Sequence, residues 1–131
     1  MNEFIKIKTS SPKKGRGAFT KKDIKEGTII DVAHVLLIPN EEYSLIRKTI
    51  LDDYVFTWDD PNYDGEYSHA ISLSITQYMN HSYEPNVKYL YNYKNKTIKF
   101  YAIRDVKRDE ELTINYNGIV DDKSAVWFDV E

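Results

Sequence analysis

The sequence predicts a mainly β protein, built from several small sheets with one short helix. Three observations predict it. Apolar, β-branched and aromatic residues come in short runs bounded by Gly, Pro, Asn, Asp or Ser. Two of those runs alternate on either side of a tight polar turn, Lys94-Asn95-Lys96. Only one stretch, Asn40 to Asp52, sets its apolar residues at helical spacing.

The elements follow in order. Phe4-Ile5-Lys6-Ile7-Lys8 alternates as a strand. Ser10 to Gly17 reads as a loop whose two glycines, Gly15 and Gly17, permit unusual backbone angles. Ala18-Phe19-Thr20 resumes a strand, and Asp23 to Gly27 is a turn. Thr28 to Ile38 predicts a buried strand pair broken around Ala33-His34. In the helix, Asn40 caps and Glu41 and Glu42 occupy the first turn, with Leu45, Ile46, Thr49 and Ile50 on one face. Tyr54 to Trp58 is a strand, and Asp59 to Tyr67 an acidic turn region with Pro61 and Gly65. Ala70 to Ile75 fits a strand or a short helix. Val87 to Tyr93 and Thr97 to Ile103 form a hairpin. A polar connection then leads to Leu112 to Tyr116, and the chain ends with the apolar patch Ala125-Val126-Trp127-Phe128.

Composition bounds the function. The 131 residues include no cysteine and carry a formal net charge of −3. A disulfide framework, a thiolate zinc cluster and a cysteine nucleophile are therefore excluded. The N-terminus lacks the apolar core of a secretory signal, and no run is long enough to span a bilayer, so an intracellular, non-secreted protein is expected. A pI near 5.6 disfavours direct nucleic-acid binding. Charge is uneven: residues 1–27 hold eight Lys/Arg, whereas Asp52, Asp53, Asp59, Asp60, Asp64 and Glu66 crowd into 52–67 without a base. That acidic segment is either solvated surface or a lure for a Lys/Arg-rich protein. Strand 87–93, rich in Tyr, either supports a homodimer or is covered by the chain itself.

Several familiar sites are missing. There is no G-x-S-x-G elbow, no phosphate-binding loop and no H-E-x-x-H, and the histidines (His34, His69, His81) are scattered, so no metal is expected. Three other segments stand out: Lys14-Gly15-Arg16-Gly17-Ala18-Phe19, Gln77-Tyr78-Met79-Asn80-His81-Ser82-Tyr83-Glu84-Pro85-Asn86, and Glu110-Glu111-Leu112-Thr113-Ile114-Asn115-Tyr116. Alone, the first is a tight turn and Tyr116 an ordinary strand tyrosine. The second is poor core-strand material and forces a turn at Pro85.

In order and spacing, the three resemble the SET domain of protein lysine methyltransferases, in its small stand-alone microbial or viral form. Tyr54-Val55-Phe56 matches the Y-x-F before that family's central insert. The resemblance implies a SET-type β-clip fold over residues 1–131, with a core of about 7–116 and residues 117–131 as a C-terminal flap. It implies a C-terminal segment threaded as a pseudoknot beside Asn80-His81. It also implies S-adenosylmethionine as cofactor, S-adenosylhomocysteine as product, no metal, and a protein lysine as substrate, the two ligands entering a channel from opposite faces.

By the same resemblance Tyr116 is catalytic. Lys14, Gly15, Arg16, Gly17, Asn80, His81 and Trp127 hold the cofactor, and Tyr54, Tyr78 and Ile114 line the channel. Core packing is the alternative for Tyr78 and for Trp127 and Phe128. The chemistry agrees: methyl transfer to an amine needs alignment and a neutral nucleophile, and an aromatic channel lowers a lysine pKa. Three departures from the pattern stand out. Asn115 replaces an aspartate, Ile114 replaces an aromatic residue, and Ser72-Leu73-Ser74 replaces an aromatic-Gly-Asn triplet on the cofactor side. Ile114 has no hydroxyl to restrain the amine, which points to multiple methylation. The non-catalytic alternatives are a SET fold that binds lysine-rich peptides or cofactor without turnover, and a β-clip module of the antifreeze or sugar-acid-binding type, which Gly15 to Ile30 also resembles, a match that leaves the Asn80 and Tyr116 segments unexplained.

Overall fold

The structure is a computed structural model and describes residues 2–61 and 65–116. Nine strands and three short helical segments follow one another: β1 (Ile5–Ser11), β2 (Gly15–Thr20), β3 (Ile29–Pro39), α1 (Asn40–Ile46), a 3₁₀ turn (Ile50–Tyr54), β4 (Phe56–Thr57), β5 (Tyr67–Ser72), a second 3₁₀ turn (Ile75–Tyr78), β6 (Asn80–His81), β7 (Val87–Asn92), β8 (Thr97–Ala102) and β9 (Glu111–Ile114). They form two sheets, of order β1-β2-β9-β6 and β4-β5-β3-β8-β7. No helix among the described residues is long and apolar enough to cross a membrane.

The hairpin β7–β8 is the element whose pattern dictates it most directly. Ile98, Phe100 and Ala102 are fully buried, while Lys99 and Tyr101 between them point outward. That is the period-two alternation of a strand with one face in a core. The register runs unbroken from Val87↔Ala102 to Asn92↔Thr97, and Lys96 closes the turn with φ 54°. The aromatic side of β7 is covered by the chain itself. Trp58 packs edge-on against Tyr91 and Tyr93, and Phe56 against Tyr89.

Four expectations need correction. The second strand starts at Gly15, not Ala18, because Ser11 pairs with Gly15 across a tight turn and Lys8 with Gly17. The expected break around Ala33-His34 is absent. β3 is one continuous strand that changes partners there, pairing with β8 up to His34 and with β5 from Val35. Each neighbour is too short to cover an 11-residue strand alone. The helix ends at Ile46, and Asn40 is not its cap; Pro39 takes that position, and the Asn40 side chain bonds Gly65 and Ser68. Finally, the apolar face of the insert is not buried: Leu45 and Ile50 are 66% and 72% exposed. α1 is held instead by Tyr43, whose ring stacks on His69 at 3.6 Å and whose hydroxyl donates to Asp52.

The feature that matters most for the site is β9. It is the last described strand, yet it lies between β2 and β6, antiparallel to the first and parallel to the second. This insertion is the observed form of the threaded segment. Below it, two turns of similar sequence clasp each other. Ile24 and Val106 exchange backbone hydrogen bonds, the Asp105 carboxylate accepts from Glu26 N–H, and the Asp23 carboxylate accepts from Arg108 N–H.

Candidate active site

Threading β9 beside β6 brings the Asn80 segment and the Tyr116 segment together. Tyr116 N–H donates to His81 Nδ1 at 3.0 Å, and Tyr116 O–H donates to the Met79 carbonyl at 3.0 Å. The tyrosine is thus fixed at both ends by Met79 and His81, the two neighbours of Asn80. Burial raises its phenol pKa, and Tyr54, Asp53 and Glu111 raise it further. It is a neutral hydroxyl at any physiological pH.

The His81 ring is 1% exposed and lies edge-on to Tyr83 and Tyr116. Its Nδ1 accepts from Tyr116, so the neutral ring carries its proton on Nε2. Burial lowers its pKa, and Lys14 lowers it further. The unfolded chain therefore binds the proton first. Stability from this group is complete above about pH 6.5 and is lost as pH falls through the folded value. Because His69 is also shifted downward by burial, a His69→Gln background isolates the effect. In that background the melting temperature is expected to fall as pH drops below about 6.5 and to level off where the native His81 ring itself titrates by NMR. A flat profile would remove His81 from the latch.

A second latch fixes β9. The Asn86 side chain, 2% exposed, donates to the Glu111 carbonyl at 2.8 Å and accepts from Thr113 N–H at 2.9 Å. The Glu111 carboxylate accepts from Ser10 on one oxygen and from the Asn80 amide on the other, at 2.6 and 2.8 Å. Gly17 lies directly against this pair, and a Cβ there would stand 2.8 Å from Asn80 Nδ2 and closer still to Glu111. Gly17→Ala therefore displaces the Asn80–Glu111 pair. Overpacking of this kind costs about 1–3 kcal/mol. Gly15 is the opposite case, with φ +73° and nothing within 4 Å. Its need is conformational, not steric. Thermal melts of Gly17→Ala and Gly15→Ala should both drop, but only Gly17→Ala should also alter the Asn80 side-chain amide resonances.

Two cavities flank Tyr54. One, of about 150 Å³, is narrow and aromatic, with Tyr54, Tyr89, Tyr91, Ile114 and Tyr116 in its wall. The other, of about 570 Å³, is open and lies against Lys14, Gly15, Arg16, Tyr78 and the 71–75 segment. Tyr54 and Gln77 belong to both. Gln77 holds that partition: its Nε2 donates to the Tyr54 carbonyl, and its Oε1 accepts from Ser72 N–H at 2.9 Å.

The structure places Lys14, Gly15, Arg16, Tyr54, Tyr78, Ile114 and Tyr116 in the walls of the two cavities, whereas Gly17, Asn80 and His81 lie behind them, against Glu111 and Tyr116. Tyr78 is not in the aromatic cavity. It faces the open one, where its hydroxyl accepts from Arg16 at 2.9 Å and the guanidinium lies over its ring. Trp127 and Phe128, with the expected flap 117–131, lie outside the described residues. Tyr89 and Tyr91 were missed. In the sequence they look like any alternating strand tyrosines, and only the fold turns them toward Tyr116. Gln77, Glu111 and Asn86 were within the flagged region, but nothing in their spacing gave them these roles.

The open cavity offers the donors a sulfonium amino-acid nucleoside requires. Lys14 and Arg16 are cations suited to a carboxylate, Gly15 exposes bare backbone, and Leu73 and Ile75 give an apolar side. The Asn80 amide nitrogen is taken by Glu111, which leaves its oxygen as the acceptor of that side chain.

Known proteins carry the same plan. The SET domain family model matches residues 15–117. A Schizosaccharomyces pombe histone-lysine N-methyltransferase, specific for histone H3 lysine-37, is 31% identical over 120 residues, covering 91% of this chain and 74% of its own. The crystal structure of a Plasmodium falciparum protein described as a candidate histone methyltransferase superposes with a TM-score of 0.65 and 28% identity, over 88% of this chain and 95% of that one. The chain belongs to the SET domain family and is a protein-lysine methyltransferase.

Proposed function

We propose that the aromatic cavity receives the side chain of a protein lysine, that the open cavity holds S-adenosylmethionine, and that methyl transfer occurs beside Tyr54. The observation that carries this reading is the shared wall: two cavities of different character separated by Tyr54 and Gln77, with the doubly anchored Tyr116 in the narrower. When bound, the cofactor supplies a methyl group made electrophilic by a sulfonium. The residues of the chain do the rest. Lys14 and Arg16 pair with the cofactor carboxylate, Asn80 presents its amide oxygen, and His81 contributes through its backbone, its ring being committed to Tyr116. Tyr54, Tyr89 and Ile114 strip water from the lysine stem, which favours the neutral amine. Tyr116, its own proton given to Met79, offers its phenol oxygen as acceptor to an amine N–H and so aligns the lone pair. Tyr78 supports Arg16 instead of touching the lysine.

The acidic residues beside the narrow cavity favour a Lys/Arg-rich substrate, the chemistry of the histone named for the yeast relative. We read residues 1–131 as one catalytic domain. Thermal unfolding with S-adenosylhomocysteine tests the cofactor half without a known substrate. Ligand at 100 times its dissociation constant adds about 2.7 kcal/mol to stability. The melting midpoint should rise by several degrees, and the rise should shrink in Asn80→Ala. No shift at millimolar ligand would move the reading to a non-catalytic β-clip module.

A further inference from the structure

Among the described residues that line the aromatic cavity, Asp53 alone carries a formal charge. It sits one position before Tyr54 on the 3₁₀ turn Ile50–Tyr54 and is exposed. Its neighbour Asp52 is engaged by the Tyr43 hydroxyl, whereas Asp53 has no hydrogen bond or ion pair among the described residues. Its field reaches the Tyr116 hydroxyl, on which it acts as a neighbouring negative charge. A lone carboxylate at the wall of a cavity otherwise built of phenols, apolar side chains, one threonine and one amide is placed for a cation. Lysine arrives from water as a cation, with an unperturbed pKa of about 10.4.

We propose that Asp53 is the electrostatic anchor of the target lysine: it draws the amine into the aromatic cavity as its ammonium and holds it there until the proton leaves for solvent. The inference rests on the reading of this cavity as the lysine channel. It makes Asp53 a positioning residue with a two-sided effect. The carboxylate improves capture, and it also favours the charged form, which cannot attack. Transfer follows once the proton has gone to water: the nitrogen lone pair forms the new N–C bond, the S–C bond breaks, and sulfur keeps its electron pair. The groups that share this field are Tyr54 on the same turn, Tyr116 after β9, Tyr89 and Tyr91 on β7, Gln77, and Glu111 behind Tyr116. Burial pushes the Tyr89, Tyr91 and Tyr116 phenols up, so these three add no charge at neutral pH.

Two measurements test it. In the first, Nα-acetyl-lysine methyl ester is titrated at pH 7 into protein saturated with S-adenosylhomocysteine, with aromatic resonances as the readout. Asp53→Asn is expected to weaken binding by about three- to tenfold. Asp53→Glu should restore most of it, and Asp59→Asn, an acid of the same segment outside the cavity wall, should change nothing. In the second, methyl transfer to core histones is followed against pH. Asp53→Asn should raise KM while moving the acid limb of kcat to lower pH by about one unit or less. A purely structural role would lower kcat without moving that limb. Unchanged ester affinity in Asp53→Asn, or an equal loss in Asp59→Asn, would overturn the assignment. Wild-type protein that binds neither S-adenosylhomocysteine nor the ester would instead overturn the parent reading and take the anchor with it.

Discussion

Tyr116→Phe is expected to reduce methyl transfer by about a hundredfold or more while leaving the fold intact. The removed atom is one oxygen. Its loss breaks the bond to the Met79 carbonyl, which is worth about 0.5–1.5 kcal/mol to stability. The backbone latch from Tyr116 N–H to His81 is untouched, and the ring still fills its place. Stability should therefore fall by only a few degrees of melting temperature. Alignment is another matter, because a misplacement of about 1 Å near the chemistry can cost about a hundredfold in rate. The comparison to make is labelled-methyl incorporation into core histones alongside a circular-dichroism melt of the same preparation. Loss of transfer with an intact melt supports a direct role. Transfer at the wild-type rate would end it, and loss of both would reduce Tyr116 to a structural residue.

Asn86→Ala should produce the largest loss of stability among single substitutions near the site. The side chain is buried and satisfies two backbone groups of β9, the Glu111 carbonyl and the Thr113 N–H. Truncation leaves both without that partner in a site closed to water. Each unsatisfied buried group costs about 1–3 kcal/mol, so a total of about 2–6 kcal/mol is expected for the two. Asn86→Asp keeps an acceptor for Thr113 but sets a buried carboxylate oxygen against the Glu111 carbonyl, so it should be no more stable than Asn86→Ala. Denaturant melts of the three proteins check the order, with equal slopes confirming that the native states are comparably compact. Asn86→Ala as stable as wild type would show that β9 is held by its strand partners alone.

How much of this was legible depends on how local the cause is. The β7–β8 hairpin was legible because alternation and turn chemistry agree over adjacent residues. The Asn80 to Asn86 segment was legible as unusual because its residues suit neither a core strand nor a helix. The helix at Asn40 was misjudged for the same local reason. Its apolar spacing is real, but Leu45 and Ile50 find no core to enter, and Asn40 is drawn to Gly65 and Ser68 across the insert. Tertiary partners outbid local capping there. The Ser10–Glu111–Asn80–Gly17 group was invisible, since its members come from four separate strands. That Tyr78 faces the open cavity and Arg16 follows from the 3₁₀ turn before β6, a local geometry no periodicity encodes.

The position of β9 also fixes when the site comes into being. Ser10 and Glu111 meet across 101 positions, and the strands on either side of β9 belong to much earlier parts of the chain. Contacts so distant carry the greatest loop-closure entropy and tend to form after local hairpins such as β7–β8. The slot between β2 and β6 therefore fills late in folding, and the Tyr116 hydroxyl reaches Met79 only when it does. Refolding followed by circular dichroism should recover strand content before cofactor binding returns, so that a partly folded chain is a chain without an active site.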